Sequence, residues 1–363
     1  MSQHRRRAAR RIAGLGTAAG LVLAAAFGAA AADPAGAGAG AAPPVAAGVA
    51  AAVPLAAVPA VVLPAAQSAP SGPAVPAAQP AGAGIGPGVQ IATPVAGGAE
   101  LCTANFLFTA AGAADGQRDD DGPVHRRVPA GALYLGTAAH CMVAESARSS
   151  VDGCVEPVQP HGTEVGIVGR DGTVHSGRVA YNSWAVMQER GERDPQLCLY
   201  NDFALIELGP SAAAVADPTV PGFGGPSGLN TAGTAGGDRV YSYQPNQAAP
   251  TPFKQGVSFG RPEGPRTHVV ATLPPGVPGD SGAGYLDAQG RAFGVLSSLM
   301  LPTATNGVTD IAQALGYAAA FGTLGPVELV PGTAGFAPRG TPLTELPAVP
   351  ERPLPEARPV PLR

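Results

Sequence analysis

The stretch Pro278-Gly279-Asp280-Ser281-Gly282-Ala283-Gly284 lies late in a chain of 363 residues and organises the reading of everything before it. A serine between two glycines, with an aspartate just ahead of it, is the local recipe for an activated nucleophile. Glycine admits the tight, partly left-handed backbone that lifts a side chain out of a turn and aims successive N–H groups at one point. Here the N–H groups of Gly279 and Ser281 are the pair that would converge on a developing oxyanion. The same residues also read as an ordinary turn. A base elsewhere in the chain, and a group to orient it, would separate the two readings.

Outward from this stretch the chain is built of short apolar runs punctuated by glycine and proline. Strand candidates fall at 102–109, 132–137, 164–168, 173–180 and 203–208, and then at 239–243, 255–259, 268–272, 284–286 and 292–298. Many short strands at regular spacing imply an all-β barrel or sandwich. One helix is expected over 309–321, with Ile311, Ala314, Leu315 and Ala318 on one face. The polar run 112–127, with acids and bases in alternating blocks, reads as a solvated loop rather than a calcium or ligand site.

Composition bounds the rest. With 51 glycines, 40 prolines and 5% aromatic residues, part of the chain is not globular. Residues 1–32 read as an export signal: a basic region from His4 to Arg11, a mild apolar run, and small residues before Asp33. Losing that segment, with its five arginines and no acid, takes the formal charge from −4 to −9. An acidic mature chain argues against nucleic-acid binding. Residues 33–98, rich in Ala, Pro, Gly and Val, read as a disordered spacer able to carry a domain away from a membrane or through a cell wall. A proline-rich tail covers 323–363. Four cysteines, Cys102, Cys141, Cys154 and Cys198, read as two disulfides in an exported chain. The rival is a zinc site from Cys154, Cys198, His161 and His175, which lack finger-like spacing.

Among six histidines, His140 is the base candidate, because it follows a strand and sits among small residues beside Cys141. Asp202 stands at the mouth of the apolar run Phe203-Ala204-Leu205-Ile206. An acid entering such a strand is costly to bury without a partner, and a histidine N–H supplies one. In the ordered set His140, Asp202, Ser281, the serine Oγ attacks an acyl carbon, the imidazole takes its proton, and the carboxylate holds the imidazole tautomer.

Three blocks, Thr137-Ala138-Ala139-His140-Cys141, Asn201-Asp202-Phe203-Ala204-Leu205-Ile206 and Gly279-Asp280-Ser281-Gly282, resemble the signatures of chymotrypsin/trypsin-like serine proteases, in their secreted bacterial branch. Cys102-Thr103-Ala104-Asn105-Phe106 resembles the start of such domains. The resemblance covers about 99–322 and implies two six-stranded antiparallel Greek-key β-barrels with a C-terminal helix, the triad lying between the barrels. It also implies pairing of Cys102 with Cys141, which leaves Cys154 with Cys198, and oxyanion donors at Gly279 and Ser281. The implied activity is peptide-bond hydrolysis through an acyl-enzyme, without metal or organic cofactor, by a secreted monomer acting on polypeptides.

Departures from the family shape the rest. Pro275 stands where trypsin-like members carry the acid that selects Arg or Lys, so a different preference is implied. By the resemblance the pocket walls come from 275–278, Ser297, Leu299 and Gly307, and favour a small or apolar side chain. By the resemblance Asp280 pairs either with a freshly cut N-terminal amine, of which Val95-Ala96-Gly97-Gly98 is a poor echo, or, as in bacterial members, with an internal arginine, for which Arg239 and Arg178 are the candidates. The rival reading is a protease-like surface or adhesion module, suggested by the spacer, the tail and the unusual pocket.

Overall fold

The computed structural model describes residues 84–111, 131–144, 151–246, 252–338 and 358–361. All of them fall in one unit, Pro73–Arg363. The export segment and the first part of the spacer lie outside the described residues, as does the whole of the loop at 112–127.

Strands β1 (Gln90–Val95), β2 (Gly98–Thr103), β3 (Leu107–Ala110), β4 (Leu133–Thr137), β5 (Glu164–Val168), β6 (Val174–Asn182) and β7 (Ala204–Leu208) form one antiparallel sheet. Its order is β3-β4-β7-β6-β5-β1-β2. The ends of the sheet are joined by the chain itself, since only Ala104, Asn105 and Phe106 separate β2 from β3. These three do not pair along a ladder. Ala104 N–H donates to Val89 O (2.9 Å) and Asn105 N–H to Gly136 O (2.8 Å). A Cβ on Gly136 would lie 2.1 Å from Asn105 Oδ1, so only glycine lets this bent path close. The strand expected over 102–109 is thus two segments, and β1 and β2 extend the domain back into the expected spacer. Residues 84–98 are folded: Ile85, Val89 and Ile91 are buried. Alanine, glycine and proline dominate the neighbourhood, and this masks the strand alternation of Gln90–Val95.

The second half repeats the pattern. Strands β8 (Gly236–Tyr243), β9 (Phe253–Phe259), β10 (Thr267–Thr272), β11 (Gly284–Asp287), β12 (Ala292–Leu301) and β13 (Thr305–Asp310) run in the order β11-β8-β9-β10-β13-β12, and β11 also pairs with β12. That last pairing closes a six-stranded barrel, as expected. Its core is Val240, Val270, Ala283, Tyr285, Phe293, Leu296 and Val308. Burying each large apolar side chain of this kind stabilises the fold by about 1.5–3 kcal/mol.

Two late strands correct the expected tail. β14 (Val327–Leu329) pairs with β3, so the first sheet has eight strands, and β15 (Arg358–Pro361) pairs with β12. Between them Phe336 packs edge-on against Tyr241, with ring centroids 5.3 Å apart.

Helices α1 (Ser183–Glu189), α2 (Pro195–Tyr200) and α3 (Pro210–Ala213) are short insertions in the first half. Their brevity leaves no sustained 3.6-residue period to read. Asn182 caps α1, accepting from the N–H groups of Trp184 and Ala185. The expected C-terminal helix is α4 (Ile311–Phe321). It starts later than expected because Thr309 and Asp310 end β13; Asp310 caps the helix and also pairs with His268 and Arg261. No helix among the described residues is long and apolar enough to cross a membrane.

Candidate active site

Strand β4 leads into the segment that carries His140. It ends at Thr137, and a 3-10 helix, Ala139–Met142, then turns His140 inward. The Cys102–Cys141 disulfide ties that helix to the end of β2, and the Cys154–Cys198 disulfide ties the segment before β5 to α2. With Cys154 and Cys198 joined, neither offers a thiolate to the zinc alternative. The single tryptophan, Trp184 on α1, packs 6.3 Å from the His140 ring, centroid to centroid.

Asp202, entering β7, is buried, and its carboxylate is occupied on both oxygens. Oδ1 accepts the His140 backbone N–H (2.9 Å), and Oδ2 lies 2.7 Å from His140 Nδ1 and accepts from Ser297 Oγ at 2.5 Å. Burial by itself raises this carboxyl's pKa. The His140 charge and the hydrogen bonds from His140 and Ser297 outweigh that and hold it below the usual carboxylate value. An ionised Asp202 requires Nδ1 to carry the proton, so Nε2 is the basic nitrogen. Nε2 is buried and makes no hydrogen bond among the described residues.

Ser281 is buried in a loop whose backbone is held at four successive carbonyls. Gly279 O accepts from Thr103 Oγ1 (2.7 Å) and Asn246 Nδ2 (2.6 Å), and Asp280 O accepts from the Ala283 N–H (3.0 Å). Ser281 O accepts the Thr103 N–H (2.8 Å) and lies 3.8 Å from Cys141 Sγ, one residue along the chain from His140. Gly282 O accepts from Asn105 Nδ2 (3.1 Å). The donors Thr103 and Asn105 come from the first half of the fold, so the Ser281 loop is clamped across the junction. Gly279 (φ 92°) and Gly282 (φ 88°) are left-handed, and a Cβ on Gly282 would lie 2.2 Å from Thr137 Oγ1. The N–H groups of Asp280 and Gly282 turn into the protein, towards Val277 O and Leu296 O.

The structure brings three of the four expected pocket residues to one place. Ser297 and Leu299 are half-buried on the outward face of β12. The loop carrying Pro275 is anchored there, with the Gly276 N–H donating to Asn306 Oδ1 (2.9 Å). Gly307 is turned the other way, since a Cβ there would meet Ser298 Oγ and Met300 Sδ. Asn306, directly opposite Leu299, shares the face of Leu299 instead. A strand-end asparagine without a family motif carries no sequence signal for this.

Neither arginine expected beside Asp280 is there. Arg178 pairs with Glu164 on the exposed surface (3.6 Å), and Arg239 is exposed on β8. The cation coupled to Asp280 is Lys254, the single lysine of the chain. It is wholly buried on β9, opposite Ser242, which in turn lies opposite Tyr285. Directly opposite residues share a face, so all three point into the barrel. Gln244 Nε2 donates to Ser242 Oγ (3.0 Å) and Tyr285 OH (3.1 Å). Burial pushes the Lys254 ammonium down to about 8, against the raising effect of the Asp280 charge. A lysine at an inward position of the alternating run Phe253–Phe259 was the available signal.

No family model matches the chain, and no curated protein matches it. Among solved structures it is similar to Thermobifida fusca Protease A (17% identity, 69% of this chain and 100% of that one, TM-score 0.38). It is also similar to Cellulomonas bogoriensis chymotrypsin (15%, 68% and 98%, TM-score 0.33) and to Nocardiopsis protease (14%, 68% and 99%, TM-score 0.34). At these values the fold rests on strand order and register.

Proposed function

We propose that the chain is a serine endopeptidase of the chymotrypsin-like class, exported, and selective for small or apolar side chains rather than Arg or Lys. The observation that carries this reading is the buried Asp202 carboxylate, which engages the His140 N–H, His140 Nδ1 and Ser297 Oγ together. It leaves the imidazole basic at Nε2 beside the clamped Ser281 loop.

In the proposed reaction Ser281 Oγ forms a bond to the scissile carbonyl carbon while His140 Nε2 takes the hydroxyl proton. Asp202 stabilises the resulting imidazolium. The carbonyl oxygen becomes an oxyanion facing the N–H groups of Gly279 and Ser281, a contribution of about 3–4 kcal/mol per donor in acyl transfer. Collapse breaks the C–N bond, and the imidazolium proton goes to the leaving amine. Water then adds to the acyl-serine, His140 taking its proton; collapse breaks the C–Oγ bond, the imidazolium proton returns to Ser281 Oγ, and the acid is released. Pro275 and Leu299, with no carboxylate at either position, support the apolar preference.

Fluorophosphonate labelling of the folded protein tests the reading. Wild type is expected to label and Ser281→Ala to remain unlabelled with an unchanged melting transition. Equal labelling of both, or none of well-folded wild type, would overturn it.

A further inference from the structure

Strand β12 offers a backbone edge beside the triad. One of its edges is taken by β13 between Gly294 and Met300. The other pairs with β11 only as far as Val295, because β11 begins at Gly284, where the chain has just left the Ser281 loop. Beyond that point the edge at 298–301 is open to another strand, one residue past Ser297, whose Oγ holds Asp202.

The strand found there is the chain's own. β15 pairs antiparallel with it in the register Ser298↔Pro361, Leu299↔Val360, Met300↔Pro359 and Leu301↔Arg358. The direction matters, because the Pro361 end lies nearest Ser297 and the Arg358 end farthest. Two of the four residues are prolines at alternate positions. The N–H donors are therefore Arg358 and Val360, and they face one edge. Such a strand can add to β12 but cannot template a further strand on its outer side.

We propose that residues 358–361 act as an internal competitor of substrate, occupying the strand edge that an extended polypeptide must use to reach Ser281. This deepens the serine-endopeptidase reading and rests on it. The recognition is strand addition, in which main-chain hydrogen bonds supply the affinity. A tethered segment works at about millimolar effective concentration, so even ~0.1 mM intrinsic affinity keeps the edge about nine-tenths filled. Free substrate then competes with the tail, and KM rises about ten-fold while kcat stays unchanged.

The test compares the full chain with two variants, one ending at residue 352 and one, Val360→Pro, that keeps the full length but removes a tail N–H. Both variants are expected to hydrolyse an apolar peptide ester with KM lowered about ten-fold and kcat unchanged. A synthetic peptide of residues 353–363 should inhibit them competitively. The Val360→Pro variant covers the case in which the shortened chain does not fold. Equal KM in all forms, with no inhibition by the peptide, would overturn the proposal. Fluorescence anisotropy of the labelled peptide on Ser281→Ala protein ending at residue 352 separates the two readings. Binding there without hydrolysis by any form would keep the docked tail and remove the peptidase, while hydrolysis without binding would do the reverse.

Discussion

Asp202 shows how one buried carboxylate can set a whole site. It stays ionised because three donors offset its desolvation, so its folded pKa lies below the ordinary aspartate value. Its contribution to stability is therefore present above the unfolded value and lost as pH falls through the lowered folded one. Asp202→Asn is expected to cut kcat by about 10⁴-fold through the wrong imidazole tautomer. The same variant should flatten the acid limb of the stability curve, as followed by urea unfolding at pH 3 to 6. Lys254 acts in the opposite sense. Its folded value, about 8, is below the 10.5 of the unfolded lysine, so the unfolded chain binds the extra proton between those values. Stability should rise with pH across that window. Turnover should instead fall with a midpoint near 8 as Asp280 loses its counter-charge, and Lys254→Met should be weakly active at every pH. An alkaline limb that persists unchanged in Lys254→Met would assign it to another group.

Among elements, the Ser281 loop depends most on glycine, and for packing as much as for conformation. Gly282 is left-handed and also lies where any Cβ would run into Thr137 and Thr103 O. Gly282→Ala is expected to destabilise by about 2–4 kcal/mol, from backbone strain together with overpacking. It should also abolish fluorophosphonate labelling at temperatures where the protein is still folded. Labelling retained at the wild-type rate would show that the loop tolerates displacement. β12 is the other decisive element. Its register shift between Leu296 and Ser298 falls where Ser297 reaches Asp202, so the irregularity in the strand coincides with its chemical contact.

Across the whole molecule, each half uses the same strand order once β2 and β3 are counted as one strand, and His140 and Asp202 come from the first half while Ser281 comes from the second. The first half cannot close without β1, which pairs with both β2 and β5. A chain beginning at Gly84 is expected to fold with a cooperative melt, and one beginning at Leu101 to remain unfolded by near-ultraviolet circular dichroism. Cooperative folding of the shorter chain would make β1 dispensable.

The amino-acid sequence by itself determined the all-β class, most strands from β3 to β12, the last helix and the three blocks carrying His140, Asp202 and Ser281. Those features are local: period-two apolar patterning, turn glycines and short contiguous motifs are all written within a few residues. Tertiary structure decided what depends on partners far along the chain. It placed β1 inside the fold although its alanines and prolines resemble the spacer. It set Asn306 rather than Gly307 opposite Leu299 through strand register, and made Lys254 the cation coupled to Asp280 through the closure of a barrel. It also laid β15 on β12, a pairing of segments about sixty residues apart whose partners carry no mark of one another until the edge at 298–301 is left open by the geometry of the Ser281 loop.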